Sequence, residues 1–253
     1  MKLSHTVNDA HFHVGQFRKL YTSPKQIVAF MEHTGIDRIA VSSTSVCGFR
    51  YGQALKEMKR LVRYAPDRII PVLRVTPDML QSGFVDKHLH SDIEWRCIKI
   101  HRLLGWSDDF LNEVVPFIEL AIKMDVPVLF HTGGGNGEAD AGTFEPLIRN
   151  YPECTMILAH ARPVEETGKL MKQYGNVWCD TAFQTAGNVA FLVTSGLSDR
   201  ILWGTDYPIP IFFYPNDDMT TYYHKQLCML AAIISEIDFE KITSTNFNKV
   251  FCH

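Results

Sequence analysis

Two histidines near the start of the chain have the spacing of metal ligands on a β-strand. In Asp9-Ala10-His11-Phe12-His13 both imidazoles fall on one face, because successive side chains of a strand point to opposite faces. Neutral imidazole is the commonest protein ligand for a transition metal. Asp9 falls on the same face of a regular strand and could orient a ligand from behind. This stretch therefore predicts two ligands of a divalent metal.

Three further polar residues stand at the ends of strand-like apolar runs. His131 ends one run and leads into three glycines, His160 ends the next, and Asp206 follows a later run. A second H-x-H pair, His88-Leu89-His90, lies outside any such run, and we interpret it as a solvated helix or loop pair. Position at a strand end therefore separates the candidate site residues from this second pair.

Short apolar strands alternate with helical segments along the whole chain. The predicted helices cover residues 24–34, 54–64, 108–124, 144–150, 165–174, 188–194, 220–236 and 239–251. The predicted strands cover residues 9–13, 36–41, 69–75, 97–100, 126–131, 155–160, 177–180 and 201–204. Such alternation predicts parallel strands with helical crossovers, and eight units in 253 residues indicate a single-domain α/β (β/α)8 TIM barrel over residues 1–253. An open doubly wound sheet is the competing fold, but it would not bring the ends of strands one, five, six and eight to one point.

Composition excludes several classes of partner. The net charge is −3 with both signs interspersed, so no basic stripe predicts nucleic acid. No apolar run approaches the roughly 20 residues that span a bilayer, and the first residues lack a long apolar segment typical of a secretory signal. The six cysteines show no C-x-x-C pairing, which indicates reduced thiols. We expect a cytoplasmic protein with a small-molecule substrate.

The order of these motifs resembles that of the amidohydrolase superfamily. Those motifs are D-x-H-x-H on strand one, H-x-G on strand five, A-H on strand six and G-T-D-x-P after strand eight. The nearest branch is the amidohydrolase 2 group, which includes aminocarboxymuconate-semialdehyde decarboxylase and related decarboxylases, hydratases and lactone hydrolases. The end of the chain, residues 241–251, also resembles the terminal helix of that group.

The resemblance implies one divalent metal, with zinc favoured and manganese or ferrous iron as alternatives. The implied ligands are His11, His13, His131 and Asp206. Asp206 would also accept a proton from the attacking water, and His160 would act beside that water as acid, base or electrophile. Asp206 and His160 are therefore the predicted catalytic residues.

Lys99, at the end of strand four, has two interpretations. In binuclear members of the superfamily such a lysine is carboxylated and bridges two metals, whereas in the mostly mononuclear nearer branch it contacts substrate or the buried charge of the site. We favour the mononuclear interpretation, with Lys99 as a substrate-binding residue. Arg162, in the loop after strand six, could hold an acidic substrate, since arginine pairs bidentately with carboxylates. Arg50 could do the same but is more typical of a loop-bracing arginine.

Four functions fit these residues to different degrees. The first is a metal-dependent hydrolase of an amide, lactone or ester bond in a small, carboxylated molecule. The second is a non-oxidative decarboxylase of an aromatic or unsaturated acid, built from the same residues. A barrel that binds without catalysis conflicts with the intact ligand set, and a TatD-type deoxyribonuclease would carry a glutamate where Lys99 stands. The aromatic run at residues 212–214 could wall the pocket or form a homodimer contact.

Overall fold

A curled sheet of mostly parallel strands forms the centre of the computed structural model, which describes residues 5–252. Its strands are β1 (Val7–Phe17), β2 (Leu20–Thr22), β3 (Ile36–Ser43), β4 (Ile69–Val75), β5 (Cys97–Ile100), β6 (Val128–His131), β7 (Met156–Ala159), β8 (Val177–Asp180) and β9 (Ile201–Leu202). The order across the sheet is β2-β1-β3-β4-β5-β6-β7-β8-β9. Only β2 is antiparallel, as the second strand of a hairpin with β1. The eight remaining strands are the eight strands of the predicted barrel.

Helical segments connect the parallel strands on the outside of the sheet. They are α1 (Pro24–Thr34), α2 (Tyr51–Tyr64), α3 (Pro77–Gln81), α4 (Phe84–Leu89), α5 (Phe110–Glu113), α6 (Val115–Met124), α7 (Glu145–Asn150), α8 (Val164–Gln173), α9 (Ala186–Thr194), α10 (Met219–Ala231), α11 (Glu236–Glu240), a π-helical turn (Lys241–Thr245) and α12 (Asn246–Phe251). Among residues 5–252 no helix combines the length and the apolar character that crossing a bilayer requires.

The ring closes through the segment that follows β9. The amide of Ala10 donates to Trp203 O at 2.8 Å, the amide of Asp206 donates to His11 O at 2.8 Å, and the amide of His13 donates to Tyr207 O at 2.7 Å. These bonds join the last strand to β1, so the barrel is a closed ring rather than an open sheet. The same bonds place Asp206 directly beside the two histidines of β1.

Alternation along the strands separates an apolar lower layer of the barrel interior from a polar upper layer. The lower layer contains small and branched residues, and Phe247 and Phe251 of α12 close its end. On four of the strands, the next inward-facing side chain, two residues closer to the C-terminal end of the strand, is polar or charged. The resulting pairs are Val72 and Arg74, Cys97 and Lys99, Leu129 and His131, and Trp178 and Asp180. The upper layer lies at the C-terminal ends of the strands, where the active sites of such barrels occur.

The predicted closing helices and the interpretation of one histidine pair need correction. The closing helices predicted for residues 220–236 and 239–251 are interrupted after Ala231 and by the π-helical turn. The pair His88 and His90 is not a solvated pair, because the His88 side chain is only 2% exposed while His90 is exposed. His88 Nδ1 donates to Phe84 O at 2.7 Å, and its ring packs near Trp95. Burial of one face of the short helix α4 against the barrel explains the difference.

Candidate metal centre

Two imidazole nitrogens and one carboxylate oxygen converge at the upper end of the barrel. Asp206 Oδ1 lies 3.0 Å from His11 Nε2 and 2.7 Å from His13 Nε2. All three side chains are buried. Ligand atoms about 2.1 Å from one metal and about 90° apart lie about 3 Å from one another. The observed spacing therefore matches three ligands of a single metal ion.

The hydrogen-bonding state of these atoms also fits a cation. His11 Nδ1 lies 2.8 Å from Asp180 Oδ2, and an ionised carboxylate only accepts, so the proton belongs on Nδ1 and Nε2 carries a lone pair. Asp206 Oδ1 is buried without a hydrogen-bond partner among residues 5–252, although two imidazole nitrogens are close to it. Lone pairs facing one another at this distance repel unless a positive charge lies between them. A divalent metal would supply that charge.

Electrostatics hold His13 and Asp206 in the charge states that metal binding requires. Burial and the nearby Lys99 and Arg74 lower the pKa of His13 well below its usual range, so its imidazole is neutral. Burial acts to raise the pKa of Asp206, but His11 and His13 outweigh it and lower that pKa well below the ordinary value. Burial and Lys99 act to lower the pKa of His11, yet Asp206 and Asp180 together raise it. The carboxylates thus favour a positive charge at His11, whether proton or metal.

His131 and His160 form a second imidazole pair beside these three residues. His131 Nδ1 lies 3.0 Å from His160 Nε2, and His160 stands between His131 and His11, with its ring centroid 4.9 Å from that of His11. The His131 ring also stacks on His101 at 3.7 Å. Burial lowers the pKa of His160 to about 4 and that of His131 well below its usual range. Both rings are therefore neutral, but His131 does not join the close cluster of His11, His13 and Asp206.

Asp180, at the end of β8, is a site residue that the sequence analysis missed. Besides His11, it contacts the backbone of His160, whose amide donates to Asp180 Oδ1 at 2.9 Å. One buried carboxylate therefore orients the His11 ring and anchors the segment that carries His160. Its place at the end of a predicted strand, shared with His131 and His160, could have identified it.

Asp9 does not have the orienting role that was predicted. Its carboxylate accepts from the amide of His11 at 2.9 Å and from Thr205 Oγ1 at 2.7 Å, and it contacts neither imidazole of β1. The pairing of β1 with β3 changes register between Asp9 and Phe12, and such a bulge changes the face on which a side chain lies. Asp9 is thereby directed to the closing segment, and its burial raises its pKa to about 7.

The three basic residues named from the sequence occupy different environments. Lys99 is only 2% exposed, and its Nζ contacts His11 Nε2, in keeping with a lone pair on that nitrogen. Arg162 is half-buried above the site, with its guanidinium 5.7 Å from the centroid of the Phe183 ring. Arg50 is exposed at the start of α2. The structure thus brings Lys99, but not Arg50, to the candidate ligands.

Arg74 of β4 is a second site residue that the sequence analysis missed. It is 5% exposed, and Nη2 lies 3.4 Å from both ring nitrogens of His13. Its Nη1 donates to Cys47 Sγ at 2.8 Å. The signal was available, since Arg74 comes near the end of a predicted strand of otherwise apolar residues.

The backbone is strained at two of the candidate residues. His160 has φ of 69° and Asp206 has φ of 59°, values that non-glycine residues rarely adopt. Phe183, above His160, has φ of 58°. Strain of this kind persists where surrounding contacts enforce it, and it is concentrated at functional sites. The hydrogen bonds from Asp206 N to His11 O and from His160 N to Asp180 supply those contacts.

Solved structures share this fold over nearly the full chain. A 4-oxalomesaconate hydratase from Rhodopseudomonas palustris is similar with a TM-score of 0.70 and 15% identity, covering 97% of this chain and 95% of that one. A 5-carboxyvanillate decarboxylase from Novosphingobium aromaticivorans, complexed with manganese, has a TM-score of 0.70 and 12% identity, covering 98% and 96%. A probable 2-pyrone-4,6-dicarboxylic acid hydrolase from Acinetobacter baumannii, with citric acid bound, has a TM-score of 0.68 and 13% identity, covering 98% and 100%. These likenesses confirm the TIM-barrel fold.

Comparison of the sequence with known families gives a more specific result. No curated protein matches the chain. The family model of the amidohydrolases matches residues 60–251, which is most of the chain. The match confirms the resemblance drawn from the histidine and aspartate motifs. The chain therefore belongs to the amidohydrolase family, a family of metal-dependent enzymes.

Proposed function

We propose that the protein is a metal-dependent hydrolase that cleaves an ester, lactone or amide bond in a small carboxylated molecule. The observation that carries this proposal is the convergence of His11 Nε2, His13 Nε2 and Asp206 Oδ1 on one buried point. Zinc is the metal we propose, because imidazole and carboxylate ligands suit it. Manganese and ferrous iron are the alternatives.

The proposed role of each side chain follows from its environment. A divalent metal held by His11, His13 and Asp206 would supply a Lewis acid that lowers the pKa of water and polarises an acyl oxygen. Asp206 is anionic and buried, so it can accept the proton of the attacking water. Neutral His160, held through its backbone by Asp180, has a lone pair on Nε2 and can act as a base that relays a proton to the leaving group. Lys99 and Arg162 are the residues that we propose to bind a substrate carboxylate.

Proton placement supports His131 as the fourth metal ligand. His160 Nδ1 lies 3.2 Å from Ala182 O, which only accepts, so His160 carries its proton on Nδ1 and a lone pair on Nε2. His131 Nδ1 must then donate to His160 Nε2, which leaves a lone pair on His131 Nε2. His131 is therefore in the tautomer that can bind a metal, whereas the Nε2 lone pair of His160 already has a partner.

Decarboxylation is the second candidate, and the position of Lys99 favours it. Its ammonium contacts His11, so a carboxylate bound by Lys99 would lie next to the metal ligands. In that reaction the carbon–carboxylate bond breaks, CO2 leaves, and the carbon takes a proton. Hydrolysis instead adds water across an acyl bond. The same residues can serve either reaction, but only one releases CO2.

The residues also support proposals on cellular location and assembly. All six cysteines are free thiols, which is typical of the reducing cytoplasm, where we propose the protein resides. Phe213 and Tyr214 remain exposed beside the barrel mouth. We propose that they form a homodimer contact or part of the substrate pocket.

A paired assay tests the proposed function. Zinc-loaded protein is incubated with carboxylated lactones, esters and amides, and with aromatic and unsaturated carboxylic acids, while acid production and CO2 release are followed separately. Hydrolysis should produce acid without CO2, and Asp206→Asn should abolish it. CO2 release would favour the second candidate. Absence of both reactions from every substrate class, with metal bound stoichiometrically, would contradict the proposal.

A further inference from the structure

Arg74 and Lys99 are neighbouring basic residues on adjacent parallel strands. The register of β4 and β5 pairs Arg74 directly with Lys99, so both side chains lie on the inward face of the barrel. Both side chains are buried, at 5% and 2% exposure. Two basic groups side by side in the barrel interior lose hydration and repel each other when both are charged; burial and Arg74 lower the pKa of Lys99 to about 7, against the opposing effect of Asp206 and Asp180. Such an arrangement is costly unless an anion balances it.

No carboxylate in residues 5–252 forms an ion pair with Arg74. Its polar contacts are Cys47 Sγ and the ring nitrogens of His13, and its Nε has no hydrogen-bond partner in that part of the chain. A guanidinium has five N–H donors in a planar fork that matches a carboxylate. The buried donors of Arg74 are therefore only partly satisfied by the protein.

Metal binding would also leave Lys99 with hydrogen-bond donors that the protein only partly satisfies. The Lys99 ammonium contacts His11 Nε2, which is also a proposed metal ligand atom. One lone pair cannot bind a metal and accept a hydrogen bond at the same time. With metal on His11, the amino group of Lys99 loses that acceptor while it remains beside Arg74.

We propose that Arg74, together with Lys99, binds a carboxylate group of the substrate at the bottom of the site, beside His13. Arg74 is thus a specificity-determining residue that selects anionic over neutral molecules. The inference rests on the proposed function for the identity of the anion as a substrate group. Because Arg74 contacts His13, the bound carboxylate lies next to the proposed ligands rather than at the rim, where Arg162 stands.

Binding of benzoate and of its neutral analogue benzamide tests this inference without any turnover. Both probes are titrated calorimetrically into zinc-loaded wild type and Arg74→Met, with metal content and melting temperature measured on each sample. We expect benzoate to bind wild type more tightly than benzamide does. Arg74→Met should weaken benzoate about 10–100-fold, as the loss of a charged hydrogen bond does, and leave benzamide unchanged. Arg74→Gln, which keeps a polar group near Cys47, replaces it if the methionine variant does not fold.

Arg102→Met is the matched control. Arg102 lies in the loop after β5, where its guanidinium is 3.9 Å from Glu138, so its charge already has a partner. This variant should bind benzoate as wild type does. Equal losses in both variants would contradict a specific subsite, as would unchanged benzoate affinity in Arg74→Met or no binding of either probe to wild type. Loss of metal with an unchanged preference for benzoate would show that Arg74 only braces His13. None of these results depends on finding a reaction.

Discussion

At the scale of single residues, Asp180 controls the site without contacting the proposed metal position. Its carboxylate fixes the proton of His11 on Nδ1 and so makes Nε2 a ligand atom. Asp180→Asn keeps the shape but loses the charge, and we expect it to lower metal affinity about 10–100-fold. Competition with a chromophoric chelator measures this change. Asp92→Asn, at an exposed carboxylate that pairs with Lys59, is the control, and wild-type affinity in Asp180→Asn would refute the orienting role.

His131 has a free lone pair on Nε2, whereas both ring nitrogens of His160 have partners, and this difference predicts opposite results on replacement. His131→Ala should lose metal and activity together, because it removes a proposed ligand. His160→Ala should keep a full equivalent of metal and lose about 10²–10⁴-fold in kcat, as expected for a general acid or base. Elemental analysis of both variants beside wild type decides between them. A metal-free His160→Ala with a metal-loaded His131→Ala would exchange the two roles.

At the scale of elements, the packing of helix α4 predicts that replacing His88 destabilises the protein more than replacing His90 does. The buried ring of His88 packs near Trp95, whereas His90, directly after the end of α4, is exposed. His88→Ala should cost about 2–4 kcal/mol of unfolding free energy through the cavity it leaves, and His90→Ala less than about 0.5 kcal/mol. Denaturant unfolding at pH 8 measures both. Equal effects would mean that α4 does not pack as described.

The burial of His88 predicts that the stability of the protein depends on pH. Burial lowers the pKa of His88 below its ordinary value of 6.5, so the folded protein prefers the neutral ring. Its contribution to stability is complete above pH 6.5 and declines as the pH falls below that value, where the unfolded chain takes up the proton. The stability difference between wild type and His88→Ala should therefore shrink in acid. A difference that grows as the pH falls would contradict the prediction.

Local signals explain which elements could be predicted from the sequence. Helix α1 starts and ends as predicted because the Ser23 side chain caps it in a capping box and Gly35 ends it in the left-handed conformation. Strand β4 is also as predicted, because an apolar run lies between Pro66 and the start of α3. The hairpin strand β2 has only three residues and carries no such run. The bulge that redirects Asp9 depends on pairing with β3, which no local pattern reveals.

The candidate site was predictable where a residue type suggested chemistry and a strand end gave its place. His11, His13 and Asp206 met both conditions, and the structure brings them together. Asp180 and Arg74 met both conditions as well, so their positions were predictable but their roles were not. The roles of these two residues depend on neighbours that are distant in the sequence. Asp180 orients a histidine of β1, and Arg74 lies beside Lys99 only through the register of β4 and β5. Long-range pairing of this kind has no signal in a single sequence.

At the scale of the whole molecule, barrel closure and the metal centre use the same contacts. The segment after β9 is joined to β1 by the amide of Asp206 on His11 O and by Thr205 on Asp9. Gly204 lies so close to β1 that a Cβ there would stand 2.9 Å from His11 Cβ. Any movement that opens the seam between β9 and β1 therefore separates Asp206 from His11 and His13. A metal held by all three would bind only the closed barrel.

This coupling predicts that metal stabilises the entire fold. A ligand at about 100 times its Kd, bound only by the native state, adds about 2.7 kcal/mol, which raises Tm by roughly 5–10 °C in a domain of this size. We expect zinc to raise the Tm of chelator-treated wild type by this amount, in a concentration-dependent way. The Tm of Asp206→Ala should not respond, because that variant lacks the ligand on the closing segment. His33→Ala, which removes an exposed histidine of α1, controls for nonspecific zinc binding and should respond as wild type does. An unchanged Tm in wild type that binds one equivalent of zinc would mean that the metal is held without closing the seam.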